Sequence, residues 1–343
     1  MNTAAVMTAL GCIELQQRPM PQAATGAAIV KVHAVGVCGS DTTYYRHGRI
    51  GDWVVEGDII LGHEAAGEVV EVGDGVTEIE VGDRVAIEPG TPCRQCTQCQ
   101  AGRYHLCPDL VFLATPPYDG ALVQYIALDA RTLFPIPDIM TYEQAAMVEP
   151  LSVGLWGCQR AALRPGDDVL VTGAGPVGIL AAQAARALGA RTVTISDVAP
   201  FRLEFARALG ITVEGVSSPP QERFDVLLEC SGAPGVLATG MDRLREAGRA
   251  AMIGLPKESV ELPVSFLNKN EVSLALVNRY QNTWPLGISL IASGRVSVDD
   301  LQTHSFSLED TATALEIGAC DRRSLKAIIY PQDVRGTAVR TDY

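Results

Sequence analysis

Apolar and polar positions alternate in short runs over the first ~140 residues. Runs at 28–35, 67–72 and 83–87 are each a few residues long and rich in Val, Ile and Ala. Gly-Asp pairs at 51–52, 57–58, 73–74 and 82–83 punctuate them. Short apolar runs closed by turn residues predict β-strands, so this part reads as a barrel-like or sandwich-like β domain with long loops.

The pattern changes after Pro150. A compact apolar strand at 168–172 precedes a helical period over 176–188, with Pro176 near its first turn and Gly189 as its stop. A strand at 191–196, a helix at 200–209 stopped by Gly210, and strands at 225–229, 249–253 and 272–277 follow. Repeated strand–helix units predict a doubly wound parallel sheet, an α/β architecture. From Tyr280 the pattern is mixed again: a helix start at Trp284 and Pro285, a helix at 308–317 and a last strand at 326–330. The last dozen residues, 332–343, read as frayed or used in an interface, and the chain shows no internal repeat.

Composition narrows the class. Of 343 residues, 47% are hydrophobic and 20% charged, the balance of a globular protein with a large core. The 27 Lys and Arg against 40 Asp and Glu give a net charge of −13, which argues against nucleic acid and anionic membrane surfaces. The first residues lack a basic region and are broken by Glu14 and Gln16, and no window has the ~18 uncharged apolar residues of a membrane span. A cytoplasmic protein is expected. Nine cysteines, four of them in one short stretch, fit a reducing compartment and a metal site better than a disulfide scaffold.

Gly173, Gly175 and Gly178 have the spacing G-x-G-x-x-G, with Pro176 and Val177 between the last two. The motif follows an expected strand, opens an expected helix, and is followed 19 residues after Gly178 by Asp197. In that context the glycines allow a tight turn, close approach to a pyrophosphate and close helix packing, while the helix start offers unpaired N–H groups. Asp197 can accept both ribose hydroxyls and repels a 2′-phosphate, so NAD is favoured over NADP; Arg202 counts against this preference, since it could reach the adenosine end.

Cys93, Cys96, Cys99 and Cys107 form C-x2-C-x2-C-x7-C. Four thiolates so close in sequence can close a tetrahedral shell around Zn²⁺ with no open position, a structural site. An iron–sulfur cluster is the rival reading, disfavoured by the two-electron chemistry of the rest of the chain. His105, inside the loop, is read as a surface residue rather than a ligand.

A second donor set is scattered. Cys38 precedes Ser40 and Asp41; His63 and Glu64 follow Gly62; Glu149 stands before Pro150. A thiolate, an imidazole and a carboxylate suit Zn²⁺ with a fourth position left open. Singly, each has a bland explanation as core or solvated residue; together they do not. His47 and His304 are read as surface residues, and Cys12, Cys158, Cys230 and Cys320 as buried small hydrophobes.

The Gly-His-Glu run at 62–64 followed by Gly67, Gly73 and Val76, the four-cysteine loop and the later G-A-G-P-V-G resemble the zinc-containing medium-chain alcohol dehydrogenases. Within them, segments 38–51, 112–120, 148–154 and 278–296 look most like the sorbitol/xylitol (polyol) dehydrogenases, and the intact four-cysteine loop looks like their microbial branch. A short link between Gly210 and Asp225 departs from the family pattern.

The resemblance implies a GroES-like catalytic domain over 1–150, an NAD-binding Rossmann domain over 151–279 and a return to the catalytic domain over 280–343. It implies two zinc ions per subunit, NAD, and a homotetramer or homodimer. Cys38, His63 and Glu64 would ligate the catalytic zinc, with Glu149 holding a water there or exchanging with Glu64. Asp41 would fix the His63 tautomer, and Ser40 would pass the alcohol proton. Tyr44, Ile50, Phe112, Thr115, Glu149, Arg279 and Tyr280 would line the substrate pocket, Arg279 and Tyr280 binding hydroxyls. The cofactor site would run on through Ser231, Gly254, Leu255, Val277 and Arg279. The expected activity is hydride transfer from a secondary hydroxyl of a polyol to NAD, giving a ketose. The alternatives are zinc dehydrogenases of 2,3-butanediol, L-idonate or L-threonine.

Overall fold

Strand pairing in the amino-terminal part is organised by one nearly fully buried strand, Ala27–Gly36. It pairs antiparallel along one edge with Glu64–Val72, and along the other with Tyr125–Asp129 and Lys326–Tyr330. Arg84–Ile87 and Leu133–Pro135 extend this seven-stranded sheet on one side, and Gln302–Ser307 on the other. A separate three-stranded sheet holds the hairpin Asn2–Ala9 and Cys12–Arg18. Val6, Leu61, Val69, Leu122, Phe306 and Ile329 belong to the apolar core behind these sheets.

This is a computed structural model, and it describes residues 1–215, 222–256 and 258–332. Of the last dozen residues, expected to fray or serve an interface, 333–343 lie outside the described residues. The chain divides into two compact units, Met1–Glu149 with Val298–Tyr343, and Pro150–Ser297.

The second unit is built on a six-stranded parallel sheet. Across it run Thr212–Gly215, Thr192–Asp197, Asp168–Thr172, Phe224–Glu229, Leu244–Met252 and Ser273–Leu276. The first strand in sequence lies inside, and the chain winds outward from it in both directions, the doubly wound order. The helix Pro176–Ala187 starts with Gly175 as its N-cap and Pro176 in its first turn, and buries Ile179, Leu180 and Ala182. The short link after Gly210 carries the edge strand Thr212–Gly215; residues 216–221 lie outside the described residues.

Three readings are corrected. The helix expected over 308–317 is Thr311–Cys320, because Leu308 instead accepts from the Thr311 hydroxyl at 2.7 Å. His304 is buried, not on the surface, with Nε2 3.3 Å from Asp321 and Nδ1 2.9 Å from the Thr303 hydroxyl. Cys320 is exposed at the end of its helix.

At the amino ends of the parallel strands, Asp168 accepts from Arg191 Nε at 2.9 Å, the Thr192 hydroxyl at 2.7 Å and Arg245 at 2.9 Å. The Arg191 bonds lead in holding its carboxyl well below the usual carboxylate range, against the effect of burial. Asp168→Ala is expected to lower stability by about 1–2 kcal/mol at neutral pH. Because the folded carboxyl is more acidic than the unfolded one, this stabilisation is complete above the unfolded value of about 3.9 and fades as pH falls toward the folded value. In melts of both proteins the gap should therefore stay constant down to about pH 5 and narrow below about pH 4. A gap that does not change at the acid end refutes the ion-pair account.

Candidate active site

Two turns supply the first donor set. Cys38 caps the helix Gly39–His47 from an extended backbone, just past the end of Ala27–Gly36. His63 directly precedes the strand Glu64–Val72, and the register pairs Gly36 with Glu64. Adjacent antiparallel strand ends thus bring both turns to one place.

Asp41 holds them there. It is buried, and its Oδ2 accepts from Cys38 N at 3.1 Å while its Oδ1 accepts from Gly62 N at 3.0 Å. Oδ1 also lies 3.4 Å from His63 Nδ1. Turning Nδ1 to a carboxylate presents Nε2 as the ligand atom. Burial works against the imidazolium, but Asp41 and Cys38 outweigh it and hold the His63 pKa well above its ordinary value.

The donor atoms of Cys38, His63 and Glu64 all lie within 4.8 Å of one another. Sulfur, nitrogen and oxygen donors at that spacing, with His63 and Glu64 buried, fit Zn²⁺. A Cβ on Gly36 would stand 2.2 Å from Glu64 Oε2, so only glycine leaves room for this carboxylate. Both Glu64 oxygens receive bonds from Lys326 Nζ, at 2.8 and 2.7 Å, and Nζ also donates to Val37 O at 3.1 Å. Burial disfavours the Lys326 charge, but Glu64, Cys38 and Glu149 outweigh it and raise its pKa. Sequence reasoning missed Lys326. The available signal was a cation opening an otherwise apolar strand, Lys326–Tyr330.

Glu149 is buried in the first turn of Val148–Arg160 and stands outside the three-donor group. Ser40 is half-buried in the first turn after Cys38. Tyr44 is buried on the same helix and Ile50 half-buried beyond it. Phe112 is buried with its ring 5.8 Å from that of His63, and Thr115 follows on the same loop. Arg279 and Tyr280 belong to the second unit. There Tyr280 is buried 4.8 Å from the Trp284 ring, and Arg279 has a left-handed backbone, φ 54°.

The four-cysteine lobe forms a second donor set, Cys93, Cys96, Cys99 and Cys107, with all four sulfurs within 4.8 Å of one another. Zn–S bonds of about 2.3 Å put tetrahedral sulfurs about 3.8 Å apart, so the lobe fits the ion. Backbone N–H groups of Gln95 and Cys96 pull the Cys93 thiol down to about 7, which favours thiolate. The lobe is anchored by Arg94 to Asp129 at 2.8 Å and by the Tyr104 hydroxyl to Glu88 at 2.7 Å. Burial pushes the Glu88 carboxyl up to about 7. His105, expected at the surface, is buried beside Tyr104, because the turn Tyr104–Leu106 faces it inward.

In the second unit, Asp197 ends its strand beside the glycine turn. Its Oδ2 accepts from Ala174 N at 2.6 Å and its Oδ1 from Ala199 N at 2.8 Å, while Arg202 stands 4.0 Å away. Gly173, Gly175 and Gly178 lie in the turn and helix start, at the carboxyl end of Asp168–Thr172. Ser231, Gly254, Leu255 and Val277 follow the ends of the next three strands on the other side.

Residues 24–138 match the alcohol dehydrogenase GroES-like domain, and residues 176–293 match zinc-binding dehydrogenase. A sorbitol dehydrogenase of Bacillus subtilis is 43% identical over 96% of this chain and 97% of its own. An Escherichia coli oxidoreductase/dehydrogenase of unknown specificity superposes with a TM-score of 0.91 at 31% identity, covering 97% of this chain and 99% of that one. The 2R,3R-butanediol dehydrogenase of Bacillus subtilis gives 0.89 at 28% identity, covering 97% and 100%.

The two donor sets should fail differently when cut. Cys38→Ser is expected to lose one zinc per subunit and turnover while keeping a melting temperature near wild type. Cys96→Ser is expected to lose the lobe's zinc and to melt several degrees lower, since bound metal stabilises the fold that holds it. Metal analysis with thermal melts checks both; equal stability losses contradict two separate sites.

Proposed function

The chain belongs to the zinc-containing medium-chain alcohol dehydrogenase family, and we propose that it oxidises a secondary hydroxyl of a polyol such as sorbitol or xylitol to a ketose with NAD. The likeness to a sorbitol dehydrogenase along nearly the whole chain carries the reading. The buried donor group of Cys38, His63 and Glu64 supplies the chemistry it needs.

Cys38 and His63 hold the catalytic zinc with one carboxylate, Glu64 or Glu149; the four-cysteine lobe holds the structural one. When bound, zinc supplies a Lewis acid that makes an alcohol more acidic, and NAD supplies the hydride acceptor. Asp41 keeps the His63 ring oriented, and Lys326 balances the Glu64 charge. The Ser40 hydroxyl takes the alcohol proton on its way to solvent. Tyr44, Ile50, Phe112 and Thr115 shape the pocket, and Arg279 and Tyr280 bind further hydroxyls of an extended substrate.

The glycine turn and the start of Pro176–Ala187 cradle the pyrophosphate. A carboxylate has about four acceptor positions, and backbone N–H groups use two at Asp197, which leaves two for ribose hydroxyls. Its charge disfavours a 2′-phosphate.

The protein acts in the cytoplasm as a homotetramer or homodimer, without nucleic acid. Nine free cysteines suit a reducing compartment. The edge strand Ser273–Leu276, with Leu276 65% exposed, offers a second copy an open sheet edge. No helix among the described residues is long and apolar enough to cross a membrane.

NADH formation over a panel of four- to six-carbon polyols, with and without zinc chelation, tests the reading. Chelation-sensitive activity on sorbitol, xylitol or galactitol is expected. Activity confined to butanediol, idonate or threonine would keep the zinc dehydrogenase and discard the roles given to Arg279 and Tyr280. Asp197→Ala should raise KM for NAD by about tenfold or more and narrow the preference over NADP. Unchanged constants for both cofactors would remove Asp197 from ribose binding.

A further inference from the structure

Glu229 ends the strand Phe224–Glu229 and is 1% exposed. Its Oε1 accepts three bonds, from Ser231 N at 2.7 Å, the Ser231 hydroxyl at 2.5 Å and Gly232 N at 3.0 Å. Its main-chain oxygen accepts two more, from Ile253 N at 2.7 Å and Gly254 N at 2.9 Å. One residue therefore ties down the turn after its own strand and the turn after the next, Leu244–Met252.

These turns interlock with little slack. A Cβ on Gly173 would lie 2.9 Å from Ser231 N, and one on Gly232 would lie 2.7 Å from Leu255 O. A Cβ on Gly254 would lie 2.2 Å from Gly232 N and 2.8 Å from Glu229 Oε2. Oε2 is itself fully buried without a hydrogen-bond partner, so its place is set by the three donors on Oε1. A shift of the Ser231–Gly232 turn would thus be passed to the phosphate turn on one side and to Leu255 on the other.

The sheet order says which part of the cofactor is affected. Asp168–Thr172 has Thr192–Asp197 on one side and Phe224–Glu229 on the other. In this architecture the dinucleotide lies across the carboxyl ends at that point. With the adenosine ribose at Asp197, the nicotinamide half falls on the Glu229 side.

We propose that Glu229 is a positioning residue for the cofactor: its buried carboxylate fixes the Ser231–Gly232 turn between Gly173 and Leu255, and so shapes the backbone floor under the nicotinamide half. The inference rests on the NAD-dependent reading above. A carboxylate suits the task because a single oxygen accepting three donors is favoured by negative charge. Alanine leaves the Ser231 and Gly232 amides and the Ser231 hydroxyl without the acceptor that holds them together.

The test uses the zinc-loaded enzyme. NADH binding is followed by nicotinamide fluorescence and NAD binding by calorimetry, beside zinc content and thermal melts, for wild type, Glu229→Ala, Glu229→Gln and Phe224→Leu. Glu229→Ala should weaken both cofactors by about tenfold or more and raise KM for NAD, with KM for the polyol within about twofold and zinc unchanged. Glu229→Gln, whose amide oxygen can take the same three bonds, should recover cofactor affinity to within about threefold of wild type. Phe224→Leu trims the buried opposite end of the same strand; it should lower the melting temperature and leave both dissociation constants in place.

Cofactor affinity in Glu229→Ala within about twofold of wild type overturns the proposal. So does an equal loss of affinity in Phe224→Leu, which would make the effect one of general stability. Should Glu229→Ala fail to fold, Glu229→Asp replaces it: one methylene short, it should weaken NADH by about fivefold, and unchanged binding overturns the proposal. Wild-type protein that binds neither NAD nor NADH would instead refute the dehydrogenase reading itself.

Discussion

Asp41 accepts from the Cys38 amide, at 3.1 Å, and from the Gly62 amide 21 residues away, at 3.0 Å. With His63 Nδ1 at 3.4 Å, this one carboxylate joins the two turns that carry the metal donors. A buried carboxylate is tolerable only when its charge is met by donors, and here those donors are the donor turns themselves. The arrangement rests on register. Gly36 pairs with Glu64, so Cys38 leaves one strand end where His63 enters the next. A slip of one residue would turn Glu64 to the other face of the sheet.

Charge at this centre is closed from the far end of the chain. Lys326 opens the last strand and reaches Glu64 across 262 residues of sequence. An unpaired ion here would cost several kcal/mol, so the two residues depend on each other. The carboxyl-terminal segment is therefore part of the donor site as well as of the sheet. In a protein with a net charge of −13, Lys326, the one buried Lys or Arg among the described residues, stands where metal, thiolate and carboxylates must coexist.

The parallel sheet of the second unit divides its work between its two ends. At the amino ends, Asp167, Asp168 and Asp225 pair with Arg249, Arg191 and Arg245, an ion-pair network that fixes the strands to one another. At the carboxyl ends, tight turns lie against one another, with Asp197 and Glu229 accepting backbone N–H groups on either side of the first strand. Backbone amides, unlike arginines, leave an anionic cofactor room to come close. Strong charge pairs at one end and a backbone-lined rim at the other suit a scaffold and a binding edge.

Much of this was legible in the sequence because its signals are local. Strand–helix periodicity and the Gly173–Gly178 spacing point to the parallel sheet and its cofactor edge. The spacing of Cys93, Cys96, Cys99 and Cys107 gives the metal lobe, since four thiols that close can hardly avoid one another. The strands Asn2–Ala9 and Cys12–Arg18 gave no clean alternation, and the buried faces of His105 and His304 had no local mark. The resemblance named Cys38, His63 and Glu64 together, but only strand register brings their donors within 4.8 Å. Lys326, marked only as a cation opening an apolar strand, and Glu229 were missed for the same reason. Their meaning lies in partners: a carboxylate 262 residues away for one, and interlocked turns from three strands for the other. Sequence alone determined which chemical groups and which folding units this protein has. The tertiary structure decided which buried charges neutralise one another and which turns share a support, because those energies depend on distances through space that spacing along the chain does not encode.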